Sequence, residues 1–380
     1  MKSIPFGKPL LGDEEKQAVV DVLDGPQLVH GPVAVEFENR FANRLGVSEA
    51  ITVGSCTAGL HLGLHIHDIG AGDEVIVPAL SHVATAHCVE YCKAKPVFVD
   101  VLPENGNINP ILLPDGENIK AIIPVHYLGL PVEMDEINAK ASSLGAIVIE
   151  DCAISLDATY DGAKTGGLGL MGCFSFYPTK HMTTAEGGMV TTNDPEVAAK
   201  IRRFKAFGYD RGLGERNVPG LYDVVQLGYN YRMSEVHAAI GLTQLARLDD
   251  FQLARKQNYE NLRQELSDLE DVTVFAPQQG KSQSSHYCLN AVMPEDGSID
   301  RDAVIQYLKQ VGVGASIHYP GPIPLFSFYR DKYGYKSGQF PVAEWLSAQS
   351  ISLPVGPHLE AGDVGFIAEK LKEALVRCRT

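Results

Sequence analysis

Three places in this chain carry groups suited to chemistry: Gly54-Ser-Cys-Thr-Ala58, Asp151 and Lys180. The Gly54–Ala58 turn follows a short apolar run and enters a helical pattern from Leu60 to His65, so its amides and the helix dipole can hold a phosphate. A plain helix cap has the same composition. Asp151 ends the apolar run Ala146 to Glu150, which suits a strand buried on both faces, and open α/β sheets hold ligands at that carboxyl edge. A solvated strand end is the alternative. Lys180 lies in a polar loop between two strand-like runs, Phe174-Ser-Phe-Tyr177 and Gly188-Met-Val-Thr-Thr192. One such lysine is ordinarily solvated. Taken together, an amine that forms Schiff bases, a carboxylate for a pyridinium nitrogen and a phosphate cradle are what a pyridoxal 5'-phosphate (PLP) site requires.

Two other patterns suggest different chemistry. Gly167-Leu-Gly169-Leu-Met-Gly172 has the letters of a dinucleotide fingerprint, but it follows a turn-rich stretch and leads into a strand instead of opening a helix. It reads as a glycine-rich turn. His61 and His65 are spaced to share a helix face, with His67 nearby, yet no cysteine or carboxylate at ligand spacing completes a metal set. These histidines are expected to be packed or solvated, and no metal is expected.

The elements that must position these groups alternate. Helical patterns run from about Glu14 to Leu23 and Ala34 to Leu45, and strand patterns cover Ala50–Val53, Glu74–Val77, Pro96–Val101, Ala121–Pro124 and Ala146–Glu150. That order predicts a largely parallel sheet covered by helices. A further helix starts after Ser234, a plausible N-cap, and carries Ala238, Leu242, Leu245 and Leu248 near one face. The texture then changes, which places a domain boundary near Phe251: a large α/β domain over residues 1–250 and a smaller α+β domain over 251–380 that ends in the amphipathic Val364–Val376 segment.

Composition narrows the function. The 380 residues are 45% apolar and 21% charged, ordinary values for a folded protein, and the net charge of -15 without a basic run disfavours nucleic acid as a partner. No apolar stretch approaches the length of a membrane span and no signal-peptide core follows Met1, so a cytoplasmic protein is expected. The seven cysteines are odd in number and lack a Cys-x-x-Cys pair, which suggests neither a disulfide framework nor a zinc knuckle.

Eight segments, in order, extend the pattern across the chain. They are Ile4-Pro-Phe-Gly-Lys-Pro9, Glu74-Val-Ile-Val-Pro78, Lys95-Pro-Val-Phe-Val-Asp100, Glu150-Asp-Cys-Ala153, Ser175-Phe-Tyr-Pro-Thr-Lys180, Glu186-Gly-Gly-Met-Val-Thr-Thr192, Gly228-Tyr-Asn-Tyr-Arg-Met233 and His318-Tyr-Pro320. With them the chain resembles the DegT/DnrJ/EryC1/StrS family of PLP-dependent sugar aminotransferases. The resemblance implies fold type I, the aspartate aminotransferase-like architecture, with a large mixed sheet and a small C-terminal α+β domain. It implies that Lys180 forms the Schiff base with PLP, that Asp151 pairs with the ring nitrogen, and that Ser175 with Cys56, Thr57 and Ala58 binds the phosphate. Asn230 would reach the phosphate from a partner subunit, so a homodimer would share its sites. His318, Tyr319 and Arg232 would contact substrate.

Three positions depart from the family pattern: Cys56 stands where glycine is usual, His82 takes the slot of the aromatic residue that stacks on PLP, and Ile154 replaces a polar residue. The expected reaction moves an amino group from glutamate to a keto sugar, most often C3 or C4 of a nucleotide-linked 6-deoxyhexose. Two other readings are an aminotransferase for a cyclitol ketone or small keto phosphate, and a PLP-binding regulator without turnover.

Overall fold

The computed structural model describes residues 2–210, 218, 220–270 and 272–379. A seven-stranded sheet runs, from edge to edge, through Glu49–Val53, Gly188–Thr192, Met171–Ser175, Ile147–Asp151, Ile119–Ile122, Glu74–Pro78 and Lys95–Val99. Six strands are parallel and Gly188–Thr192 is antiparallel to both neighbours, so the sheet is mixed. The strands are Val- and Ile-rich because helices bury both faces. Ile147–Asp151 occupies the centre. The strand expected from Phe174 begins at Met171 instead, since Gly172 leaves room for the backbone of Gly166: a Cβ there would lie 2.3 Å from its Cα.

Helix Cys56–His65 lies close against the sheet. A Cβ on Gly59 would sit 2.9 Å from Val190, and one on Gly63 would sit 2.8 Å from the Met171 sulfur, so any larger residue would have to displace these side chains. The helix start is thereby held at the sheet edge. His61 and His65 are packed, as expected, against Tyr229, Tyr231 and Phe204. Burial lowers the pKa of His61 to about 4, with His65 adding to the effect.

The glycine-rich segment Gly167–Gly172 and the neighbouring Gly166 have an internal task. Amides of Gly166, Leu168 and Gly169 donate to the buried Glu150 carboxylate at 2.9, 2.8 and 2.9 Å. The His126 Nε2 lies 3.0 Å from the same carboxylate, while its Nδ1 accepts from the Val132 amide at 3.2 Å. The Nε2 therefore carries the proton. His126, Glu150 and Cys152 are close enough to suggest a metal site, but hydrogen bonds already use the carboxylate on both oxygens.

The second unit builds an antiparallel sheet from Thr273–Val274, Leu289–Val292 and Ser350–Leu353. Helices Leu248–Glu265, Arg301–Gln310 and Asp363–Arg377 cover it with Leu262, Leu308, Ile367 and Leu371. The two units interlock. Phe251 packs in the core with Phe37 and Phe41, whereas Leu262 on the same helix packs in the second core. Ile4, at the other end of the chain, joins that second core through backbone hydrogen bonds with Gly312 and Gly314. Asp100, just past strand Lys95–Val99, accepts the amides of Val342 and Ala343 at 3.0 and 2.9 Å and so caps helix Pro341–Gln349. No helix among the described residues is long and apolar enough to cross a membrane.

Glu150→Gln turns an all-acceptor group into one whose NH2 faces amide donors. The expected loss is about 2 to 4 kcal/mol of unfolding free energy, read by denaturant titration.

Candidate active site

The parallel strands ending at Val53, Pro78, Asp151 and Ser175 converge on one sheet edge, where the antiparallel strand begins at Gly188. Gly188 pairs with both Val53 and Ser175. A Cβ on it would fall 2.6 Å from the Cys56 nitrogen, so this strand can start under the Gly54–Ala58 turn only as glycine. Ser55 caps the helix that follows, accepting the Ala58 amide at 3.1 Å. The Cys56 and Thr57 amides open the first turn, where a helix offers them no acceptor. Cys56 is buried, and its thiol donates to the Cys173 carbonyl at 3.2 Å.

Asp151 is buried at the end of the central strand. Its Oδ2 accepts the Thr85 hydroxyl at 2.8 Å, and its Oδ1 accepts the Ala153 amide at 3.1 Å and the more distant Cys56 thiol at 3.9 Å. The Ser81 hydroxyl lies 2.9 Å from that of Thr85. The carboxylate is thus fixed in orientation by neutral donors.

Lys180 sits in the loop between strands Met171–Ser175 and Gly188–Thr192. The loop is closed by Phe176 N–H to Gly187 and Thr184 N–H to Phe176, both at 3.0 Å. The Lys180 Nζ stands 5.4 Å from the centre of the Tyr287 ring. Burial lowers the amine's pKa from its usual 10.5, opposed by Cys56, Asp151 and Cys288. Two other lysines near the sheet are committed elsewhere: Lys164 to Asp157 at 2.9 Å, and Lys205 to the Thr52 carbonyl at 2.7 Å.

His82 and the His318-Tyr319 pair border the same space. The His82 Nδ1 accepts the Ala84 amide at 3.2 Å, and its ring meets Tyr319 edge-on at 5.9 Å. Although His82 is exposed, the protein packed around it, and secondly the charge on Lys180, lower its pKa from 6.5. His318 bonds Ser352 Oγ at 2.9 Å and sits among Phe6, Tyr287 and Tyr319, and burial takes its pKa to about 3. The Tyr127 hydroxyl donates to its carbonyl. Ile154, by contrast, is a core residue, touching the polar network only through its carbonyl, which accepts the Ser285 hydroxyl at 3.1 Å.

Lys180, Asp151, Cys56, His82, His318 and Tyr319 are therefore close enough to act on one another electrostatically. Ser175 ends the neighbouring strand, its hydroxyl accepting the Tyr177 amide at 3.4 Å. Asn230 and Arg232 lie farther out on the surface: the Arg232 Nε donates to Asn230 Oδ1 at 2.9 Å, and its guanidinium lies 4.9 Å from the Phe207 ring. Asn230 nevertheless lines a cavity of about 260 Å³ together with Thr57, Ala58, His61 and Tyr91.

The chain matches the DegT/DnrJ/EryC1/StrS aminotransferase family over residues 9–372. It belongs to that family. Among its relatives, the spore coat polysaccharide biosynthesis protein SpsC of Bacillus subtilis is 36% identical over 379 residues, covering 97% of this chain and 96% of that protein. Its fold is similar to that of PseC of Helicobacter pylori, an aminotransferase involved in the biosynthesis of pseudoaminic acid, with a TM-score of 0.92, 28% identity and 99% and 100% of the two chains covered. It is equally similar to Spr1654 of Streptococcus pneumoniae, described as a sugar aminotransferase and solved in its PMP form, with a TM-score of 0.92, 26% identity and 98% and 99% covered. This DegT/DnrJ/EryC1/StrS protein is accordingly a PLP-dependent aminotransferase of fold type I. Its residues fit that cofactor, since the Gly188 cradle beneath a helix start, a buried carboxylate and a half-buried lysine stand at one edge.

Thr85, Tyr287 and Arg255 are the residues that motif reading passed over. Ser81 and Thr85, two hydroxyls four apart at the start of helix Ala84–Tyr91, were the one visible signal; Tyr287 and Arg255 come from the C-terminal part of the chain and carry none. Thr85→Val removes a hydrogen bond to a charged group without changing shape. Transamination should fall roughly 10- to 100-fold, with kcat falling more than KM rises. Steady-state kinetics on the purified variant measures it.

Proposed function

We propose that this aminotransferase carries an amino group from glutamate to a nucleotide-linked keto sugar of the 3- or 4-keto-6-deoxyhexose class, with Lys180 as the lysine that holds PLP. The sugar acceptor is supported by the polysaccharide and pseudoaminic acid pathways named for SpsC and PseC. Lys180 is supported by one observation above the others: this half-buried lysine shares a sheet edge with the buried Asp151 carboxylate beside the start of helix Cys56–His65.

PLP, when bound, supplies an aldehyde that captures amines and a pyridinium that accepts electron density. The rest of the chemistry falls to the chain. Lys180 must be neutral to act as a nucleophile and then as a base, and burial moves it in that direction. The Asp151 carboxylate would stand opposite the ring nitrogen and hold a proton there, with Thr85 and the Ala153 amide preventing its rotation. The first-turn amides of Cys56 and Thr57, with the Ser175 hydroxyl, would hold the phosphate. His82 would cover one ring face, and His318, Tyr319 and Arg232 would meet the substrate.

A homodimer completes this reading, with Asn230 reaching the partner's phosphate. The segment before Asn230 exposes Leu221, Tyr222, Val224, Val225 and Leu227, a run of apolar side chains that favours a protein partner.

Borohydride reduction of the PLP-loaded protein followed by peptide mapping is expected to place the pyridoxyl group on Lys180. Finding it on Lys164 or Lys205 overturns the assignment. Glutamate alone should convert the bound cofactor to its pyridoxamine form, and a panel of nucleotide-linked keto sugars should restore the original spectrum. If only unlinked sugars or cyclitol ketones do so, the acceptor class is wrong.

His82 yields a separate expectation. Its pKa is depressed, so it is neutral at pH 7 and gains charge only below its ordinary value of 6.5. His82→Phe should keep most activity at pH 7 and flatten the acid limb of the kcat/KM profile. A loss of about tenfold or more at every pH would make His82 a chemical participant instead of a stacking surface.

A further inference from the structure

Arg255, on helix Leu248–Glu265, is 6% exposed and has no carboxylate partner among the described residues. Burial lowers its pKa to about 10, so it stays charged at neutral pH. Its Nη1 donates to the Tyr287 carbonyl at 3.1 Å and its Nη2 to the Lys180 carbonyl at 3.3 Å, while its Nε is buried without a hydrogen bond. A buried guanidinium satisfied only by backbone carbonyls is an expensive way to hold a loop. The two carbonyls it selects belong to the residue carrying the amine and to the residue whose ring faces that amine at 5.4 Å.

We propose that Arg255 is a positioning residue for Lys180: its planar fork clamps the lysine main chain to that of Tyr287 and so fixes the amine over the ring, inside the site. Lys180 comes from the large sheet, Tyr287 from the segment leading into strand Leu289–Val292, and Arg255 from the helix between the two units. His181, next to Lys180, also bonds the Ser285 carbonyl at 3.1 Å, but among the described residues it is Arg255 that ties the Lys180 main chain to that of Tyr287. An ammonium cannot reproduce the clamp, because it is a point charge without a rigid pair of donors.

The groups acting on the amine are Cys56, Asp151 and Cys288, which favour its charged form, against burial. The histidines His82, His181 and His318 are near enough to feel its charge. Around Arg255 stand His181, His286 and His358, each with a pKa lowered first by burial and further by the guanidinium, and Cys288. Removing the clamp lets the loop loosen and the amine regain water. Its ionisation midpoint then moves up towards that of an exposed lysine.

The test is competitive labelling of the full-length, cofactor-free protein with acetic anhydride across pH, with the extent at Lys180 read by peptide mass spectrometry. Arg255→Lys and Arg255→Met should each raise the Lys180 midpoint by about one pH unit or more. In the PLP-loaded enzyme the same variants should lower kcat more than they raise the KM for the sugar. A folded Arg255→Lys protein with the wild-type midpoint overturns the proposal, because charge alone would then suffice; it decides the matter even if Arg255→Met does not fold. The catalytic consequence rests on Lys180 being the PLP lysine. If borohydride mapping places PLP elsewhere while the midpoint still moves, that reading fails and the clamp stands.

Discussion

Strand Ile147–Asp151 ends in two adjacent buried carboxylates, and the two-residue alternation of a strand sends them to opposite sides of the sheet. Glu150 is consumed by structure. It gathers three amides of the glycine-rich turn and His126, and thereby fixes where strand Met171–Ser175 begins. Asp151 is held by Thr85 and Ala153 close to Lys180, where we propose that it serves the cofactor. A one-residue slip of register that carried Asp151 into the turn would bring Cys152 to the site, leaving no acid there. The rest of the active edge follows from that register, because the neighbouring strand ends and the Gly188 start are paired to it.

The charge balance of the site has the same origin. Asp151 is bound by a hydroxyl, an amide and a distant thiol, none of which carries a compensating charge. Its negative potential is therefore available to the interior, where it opposes the desolvation of Lys180. The histidines nearby respond in the opposite sense, since burial and the lysine both hold them neutral.

The second unit contributes walls as well as bulk. The Tyr287 ring faces the amine, His318 packs between Tyr287 and Tyr319, and Asp100 anchors helix Pro341–Gln349 back to the large sheet. Phe275, Tyr287, Ile323 and Leu346 pack in the same core as Val53 and Val75, so these walls cannot swing away as a unit without opening a hydrophobic core.

How much of this was legible in the residues depended on distance along the chain. The Gly54–Ala58 turn, the strand-end position of Asp151 and the Lys180 loop are local patterns of apolar runs and turn residues, and each was readable because hydrophobic periodicity and helix starts are short-range properties. Family resemblance, carried by eight short segments, added the cofactor and the reaction. The rejection of Gly167–Gly172 as a dinucleotide site also came from local context, but the reason for its glycines did not: only the folded chain brings Glu150 into that turn. Thr85, Tyr287 and Arg255 belong to the second kind. Their roles arise from contacts between segments far apart in sequence, where a buried polar group takes whichever partner the packed sheet and the interlocked second unit deliver. The sequence by itself determined the chemical groups and the edge on which they stand; tertiary structure alone decided which neighbours hold them, because desolvation and hydrogen-bond geometry exist only once the interior has closed.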